Sequence, residues 1–147
     1  MYQFDSQVFY KRRQEFLSKL NGKAAIIPSA SFVQHHADCE YPFRQNSNFW
    51  YLTGFDESDS IALFLSHKNE GEKFILFVHP KDSISEVWHG FRWGLDGAKE
   101  VFKADRSHSI KDFENLLPNY LKGADELVFS VGKNKRIESI LLDIWSK

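Results

Sequence analysis

Apolar residues recur along the chain with two periods, and the switches between them mark out its elements. From Ser6 to Leu20, Phe9, Phe16, Leu17 and Leu20 fall on one side of a helix that Asp5 or Ser6 can cap and Asn21-Gly22 can close. Ala24 to Pro28 reads as a short apolar strand, and the serines after it as a loop. The run Phe49 to Thr53, punctuated by Gly54, carries apolar residues on both alternating faces, which predicts a strand inside a covered sheet. Ile61 to Leu65 and Phe74 to Val78 predict two more strands, joined by a polar, glycine-containing connection short enough for an antiparallel hairpin. Asp96 to Phe102 predicts a short helix. Ser109, three residues before Asp112, resembles a capping box opening a helix that bears Phe113, Leu116, Leu117 and Leu121, with Pro118 as a point of kinking and Gly123 as its stop. Glu126 to Ser130 predicts a further strand and Lys135 to Trp145 a last helix.

This alternation of helices and strands predicts an α/β fold, a mixed sheet of about five or six strands flanked by helices. A chain of 147 residues buries roughly 70% of the surface its unfolded form exposes, and no repeat or interior linker divides it, so one domain over residues 1–147 is the economical expectation. Hydrophobic residues make up 42% of the chain and aromatics 16%, with fourteen Phe and four Trp, so rings supply the core volume and disorder is excluded. Nineteen basic residues oppose twenty acidic ones, and no cluster could neutralise a run of phosphates, which argues against nucleic acid as a partner. Lys11-Arg12-Arg13 reads as the solvated face of the first helix. The single Cys39 rules out an internal disulfide framework and fits a reducing compartment. With no apolar run of signal or membrane-spanning length, the expectation is a cytoplasmic protein without a membrane partner.

Catalytic constellations are missing from the pattern. His35 and His36 are adjacent and cannot share one face of a helix or strand, while His67, His79, His89 and His108 are scattered, so no metal site is expected within the chain. There is no Gly-x-Ser-x-Gly elbow, and Gly90 with Gly94 lacks the third glycine of a dinucleotide loop. No catalytic residue is assigned.

Two segments carry more hydrogen-bonding chemistry than a core requires. In the first, Asp38-Cys39-Glu40-Tyr41-Pro42-Phe43-Arg44 leads through Gln45-Asn46-Ser47 into the aromatic run ending at Gly54-Phe55, with Pro42 holding Tyr41 extended. Arg44 has the guanidinium fork to satisfy carboxylates or carbonyls around that turn, a structural role. In the second, Glu86-Val87-Trp88-His89-Gly90-Phe91-Arg92-Trp93-Gly94, glycines bracket Arg92, which is read as structural, and the Trp88 indole offers a rigid apolar face of the kind used in recognition. Packing is the other reading of Trp88, and a helix or turn cap the other reading of Asp38. Phe91 and Trp93 could widen an apolar patch or pack inward.

Together the two segments resemble the N-terminal domain of aminopeptidase P, in the creatinase and prolidase superfamily. The resemblance implies a ribonuclease-H-like arrangement and a parent Xaa-Pro aminopeptidase, a hydrolase that removes the residue preceding a proline. It also implies that two divalent ions, manganese by analogy, sit in a separate C-terminal catalytic domain, leaving this chain without a cofactor of its own. By the same resemblance the domain would contact that catalytic domain, form a homo-oligomer and help bind proline-containing peptides, with Trp88 and Asp38 as substrate-binding residues. The N-terminal domain of a prolidase or creatinase, or a stand-alone peptide-binding or scaffold module, are the alternatives.

Overall fold

Three strands in the middle of the sheet dictate the architecture of the computed structural model, which describes residues 6–29, 47–69, 71–82, 92–129 and 139–140. Strand β1 (Ala24–Pro28) pairs antiparallel with β2 (Ile61–Leu65), which pairs antiparallel with β3 (Phe74–Val78). Every residue of β2 and β3 is buried, so both faces of this hairpin need a cover. Two parallel pairings extend the sheet: β4 (Arg106–Ser109) joins β3 and β5 (Leu127–Val128) joins β1, giving the order β4-β3-β2-β1-β5. The mixed five-stranded sheet flanked by helices is the fold the alternation predicts.

Alternate side chains feed two separate cores. On one face Ala25, Ala62, Phe64, Phe74, Leu76 and Val78 meet α1 (Ser6–Leu20), α2 (Ser47–Thr53) and α3 (Gly94–Glu100). On the other, Ile26, Leu63, Leu65, Ile75 and Phe77 meet Phe113 and Leu117 of α4 (Phe113–Leu121). Each fully buried Leu or Phe contributes roughly 2 kcal/mol relative to exposure, so the two layers together supply the main driving force. Among the described residues no helix is long and apolar enough to cross a membrane.

Helix α1 buries Phe9, Arg13, Leu17 and Leu20, the spacing of one helical stripe, and ends where Asn21 and Gly22 adopt positive φ. Arg13, read from the sequence as part of a solvated face, is 3% exposed. Its guanidinium lies 4.3 Å over the Phe74 ring and donates to the Leu52 carbonyl at 3.1 Å, tying α1 to the end of α2. Desolvation lowers its pKa to about 10, against the opposing attraction of Asp105, so it remains charged at neutral pH.

The expected strand over Phe49 to Thr53 is instead helix α2. Phe49, Leu52 and Thr53 are buried while Trp50 and Tyr51 are exposed, a spacing of three and four that belongs to a helix. The Thr53 hydroxyl donates to the Phe49 carbonyl at 2.8 Å and accepts the Phe55 N–H at 3.0 Å, closing the helix at Gly54 with φ 69. Strand β4 carries the polar sequence Arg-Ser-His-Ser and gave no apolar signal. Its entry is set by Asp105, whose Oδ2 accepts the N–H groups of Lys73 and Phe74 at 3.0 and 3.1 Å. Ser109 caps as expected, accepting the Lys111 N–H at 3.3 Å, but opens a 3-10 turn (Ile110–Asp112) ahead of α4, which contains Pro118. Most of the last helix expected from Lys135 lies outside the described residues.

Replacing Thr53 by the isosteric Val removes the acceptor of the buried Phe55 N–H. The expected cost is about 2 kcal/mol, read as a lower urea midpoint with an unchanged slope.

Candidate functional site

Lys81 meets Arg92 and Gly94 in a narrow neck beside α3. Of the four residues singled out from the sequence, Asp38, Arg44 and Trp88 lie outside the described residues, and Arg92 is the one the structure places. Residues 83–91 fall between the two sides of the neck, Lys81 and Asp82 on one side and Arg92, Trp93 and Gly94 on the other.

Backbone proximity makes the neck. Gly94 has φ +72, and a Cβ built on it would lie 2.8 Å from Lys81 Cβ and 3.2 Å from Lys81 N. Only glycine combines that conformation with that approach. The Lys81 ammonium donates to the Arg92 carbonyl at 3.3 Å, a second link between the sides. Trp93 packs inward, its ring edge-on to Phe102 at 5.2 Å, and Phe102 in turn meets the fully buried Phe55 at 4.9 Å. The close fit extends into α3, where a Cβ on Gly97 would come within 2.9 Å of Trp93 Cβ.

Glu57, two residues beyond Phe55, closes the neck from the third side. Its Oε2 accepts the Trp93 N–H at 2.7 Å, and its Oε1 faces Arg92 Nη1 at 3.6 Å. The side chains of Glu57 and Arg92 are 9% and 16% exposed, so this ion pair is shielded from solvent. The sequence reading passed over Glu57, because nothing in Asp56-Glu57-Ser58-Asp59 distinguishes the one inward carboxylate from a solvated acidic loop.

On the opposite face of the sheet, His108 Nε2 lies 2.6 Å from the Tyr120 hydroxyl and His67 Nε2 lies 3.0 Å from the Tyr120 carbonyl. Burial lowers the pKa of His108 and raises that of Tyr120. The contact of His67 with a carbonyl requires its Nε2 to carry the proton. These pairs brace α4 against the β2–β3 turn and β4. Among the described residues no group of three or more His, Cys, Asp or Glu is arranged to hold a metal ion.

Burial raises the pKa of Glu57, the Trp93 N–H and Arg92 lower it in part, and Asp56 adds to the rise. A carboxyl with a folded-state value above its unfolded value binds its proton more readily in the native state. Its contribution to stability is therefore greatest below the unfolded value and is lost as pH rises through the folded one. The thermal midpoint of the protein, compared with that of Glu57→Gln so that the other carboxylates cancel, is expected to fall relative to the variant as pH rises above the ordinary carboxylate range. A flat difference or the opposite slope would show that the neck compensates the charge in full.

Residues 9–129 match the family model of the aminopeptidase P N-terminal domain. The chain is similar to the Xaa-Pro aminopeptidase of Escherichia coli, at 34% identity over 90% of this chain and 30% of that protein. It is also similar to human Xaa-Pro aminopeptidase 3, at 35% identity over 77% of this chain and 25% of the relative. Among solved structures, zinc-substituted E. coli aminopeptidase P in complex with product superposes with a TM-score of 0.87 at 32% identity, covering 99% of this chain and 33% of that one. Aminopeptidase PepP of Pseudomonas aeruginosa gives 0.86 at 29% identity, covering 98% and 33%. The chain thus spans a third or less of the length of these proteins. Matched over most of its length in both sequence and fold, it belongs to the aminopeptidase P N-terminal domain family.

Proposed function

We propose that the polypeptide carrying this domain is a Xaa-Pro aminopeptidase, and that residues 1–147 form a single non-catalytic domain shaping its substrate site. The observation that carries this reading is the match at 34% identity along nearly the whole chain to a Xaa-Pro aminopeptidase three times as long. Two divalent ions, manganese in this proposal, would belong to the catalytic domain, where they would polarise the scissile carbonyl and supply hydroxide. A relative described as zinc-substituted supports metal dependence without fixing the metal. Cytoplasmic location and assembly into a homo-oligomer complete the proposal.

Within this domain, Trp88 is the proposed wall for the proline ring of the substrate and Asp38 a carboxylate at the mouth of the site. The neck supports the first assignment, because Arg92, Trp93 and Gly94, which follow that segment in sequence, are closely fitted against Lys81 and Glu57. Precision of that kind suits an aromatic anchor, which binds with little loss of its own freedom. Arg44 and Arg92 are assigned structural roles.

The purified chain alone is expected to release no N-terminal residue from an Xaa-Pro peptide. Chelator-sensitive release would overturn its assignment as non-catalytic. In the full-length polypeptide, Trp88→Ala is expected to raise KM for Xaa-Pro peptides about tenfold, the loss of roughly 1.4 kcal/mol of binding, with the thermal midpoint nearly unchanged. A large drop in that midpoint with normal kinetics would instead make Trp88 a core residue.

A further inference from the structure

We propose that α1 pairs antiparallel with α1 of a second copy of this chain, about a two-fold axis passing between Arg13 and Gln14, so that Arg12 of each copy meets Glu15 of the other. The inference rests on the reading of the protein as a homo-oligomer and gives that assembly an interface.

Spacing along α1 makes one of its faces self-complementary. Beside the buried stripe of Phe9, Arg13, Leu17 and Leu20 runs a second one, Val8, Arg12, Glu15 and Lys19, of which Val8, Glu15 and Lys19 are exposed and Arg12 partly so. Its intervals of four, three and four residues keep to one face of a helix, and they read the same in both directions. Two such stripes laid antiparallel therefore set position 12 against 15 and position 8 against 19. Arg12 faces a carboxylate, Lys19 can lay its methylene stem on Val8, and no cation faces a cation. A parallel pairing would put like charge on like charge at all three charged positions, which costs affinity at each. The antiparallel arrangement is an isologous contact, the kind that closes a dimer.

The surface next to this stripe is suited to contact with protein. Among the described residues five large hydrophobics are exposed, and three of them, Val8, Trp50 and Tyr51, lie on α2 and on the flank of α1 that meets it. The Arg12 guanidinium is ordered there before any partner arrives. It lies 4.3 Å over the Tyr51 ring and 5.1 Å over the Phe9 ring, and it donates to the Tyr51 carbonyl at 3.2 Å. Trp50 packs edge-on to Phe9 at 5.9 Å. An arginine held beside a tryptophan and a tyrosine has the composition of an interface hot spot, and the side-chain freedom it has already lost is not lost again on association. Among the described residues neither Arg12 nor Glu15 forms a salt bridge, and α2 contributes no charge of its own. The face thus offers a cation without a counter-ion and, one turn on, a carboxylate without one. Charge complementarity selects a second copy as the occupant.

The test is the solution mass of the full-length polypeptide, followed by sedimentation velocity over a range of concentrations. Arg12→Glu and Glu15→Arg, each alone, are expected to weaken self-association about 100-fold, about tenfold at each of the two symmetric contacts. Mixing the two single variants in equal amounts is expected to restore it, because each then supplies the charge that the other lacks at both contacts. Should Arg12→Glu fail to fold, loss of association in Glu15→Arg with partial retention in Glu15→Gln makes the same comparison. An oligomer that neither reversal weakens, or single variants that stay apart when mixed, would overturn this interface and leave the reading of a homo-oligomer intact. A wild-type polypeptide that stays monomeric would remove that reading, and this inference with it; a lower thermal midpoint in Arg12→Glu would then point to the catalytic domain as what covers the face.

Discussion

Ten residues in two adjacent strands, all buried, impose the order of the rest. A β2–β3 hairpin made of Ile-Ala-Leu-Phe-Leu and Phe-Ile-Leu-Phe-Val has no face it can offer to water. Helices must therefore cover both sides, and the covers are unequal. Three helices and the neck occupy one face, while α4 with its histidine and tyrosine contacts braces the other. On the crowded side small sheet residues, Ala25 and Ala62, give large aromatic side chains room to pack.

Arg13 shows how the crowded face is held in register. A guanidinium inside a core is costly unless its charge is met, and here it is met by the Phe74 ring, the Leu52 carbonyl and the field of Asp105. Those partners belong to the start of β3, the end of α2 and the turn before β4. One side chain of α1 thus fixes three elements against each other, and the chain that leaves α2 passes through Gly54 and Phe55 directly to Glu57. The route from the core to the neck is four residues long.

Most of the architecture was legible because its elements carry unmistakable patterns. The stripe of α1, the continuous apolar runs of β1, β2 and β3 and the cap at Ser109 each point to one structure. Where the reading went astray, two principles competed. An aromatic run of five residues satisfies the template of a buried strand as well as that of a helix, and the deciding fact, exposure of Trp50 and Tyr51 with burial of Phe49, Leu52 and Thr53, is tertiary. Strand β4 is an edge whose polar residues need no apolar alternation, since backbone pairing with β3 and the Asp105 carboxylate place it. Burial of Arg13 was hidden for a related reason: a basic triplet on an amphipathic helix reads as solvated unless the ring and carbonyl that receive it are known. At the candidate site, the motif residues stood out by composition, whereas Glu57 did not, because its partners are a backbone N–H and an arginine 35 or more positions away.

The contrast between core and neck bears on what the neck is for. In the two cores, local preference and tertiary demand agree, and nearly every buried group is apolar or fully satisfied. Within the neck they disagree: a carboxylate is buried against its own preference for water, and a glycine with φ +72 starts a helix against a neighbouring backbone. Each feature alone lowers stability, since burial disfavours the charge and glycine weakens the first turn of α3. Their meeting at Arg92, Trp93 and Gly94, beside Lys81, is what a geometric requirement looks like when it outweighs a stability requirement.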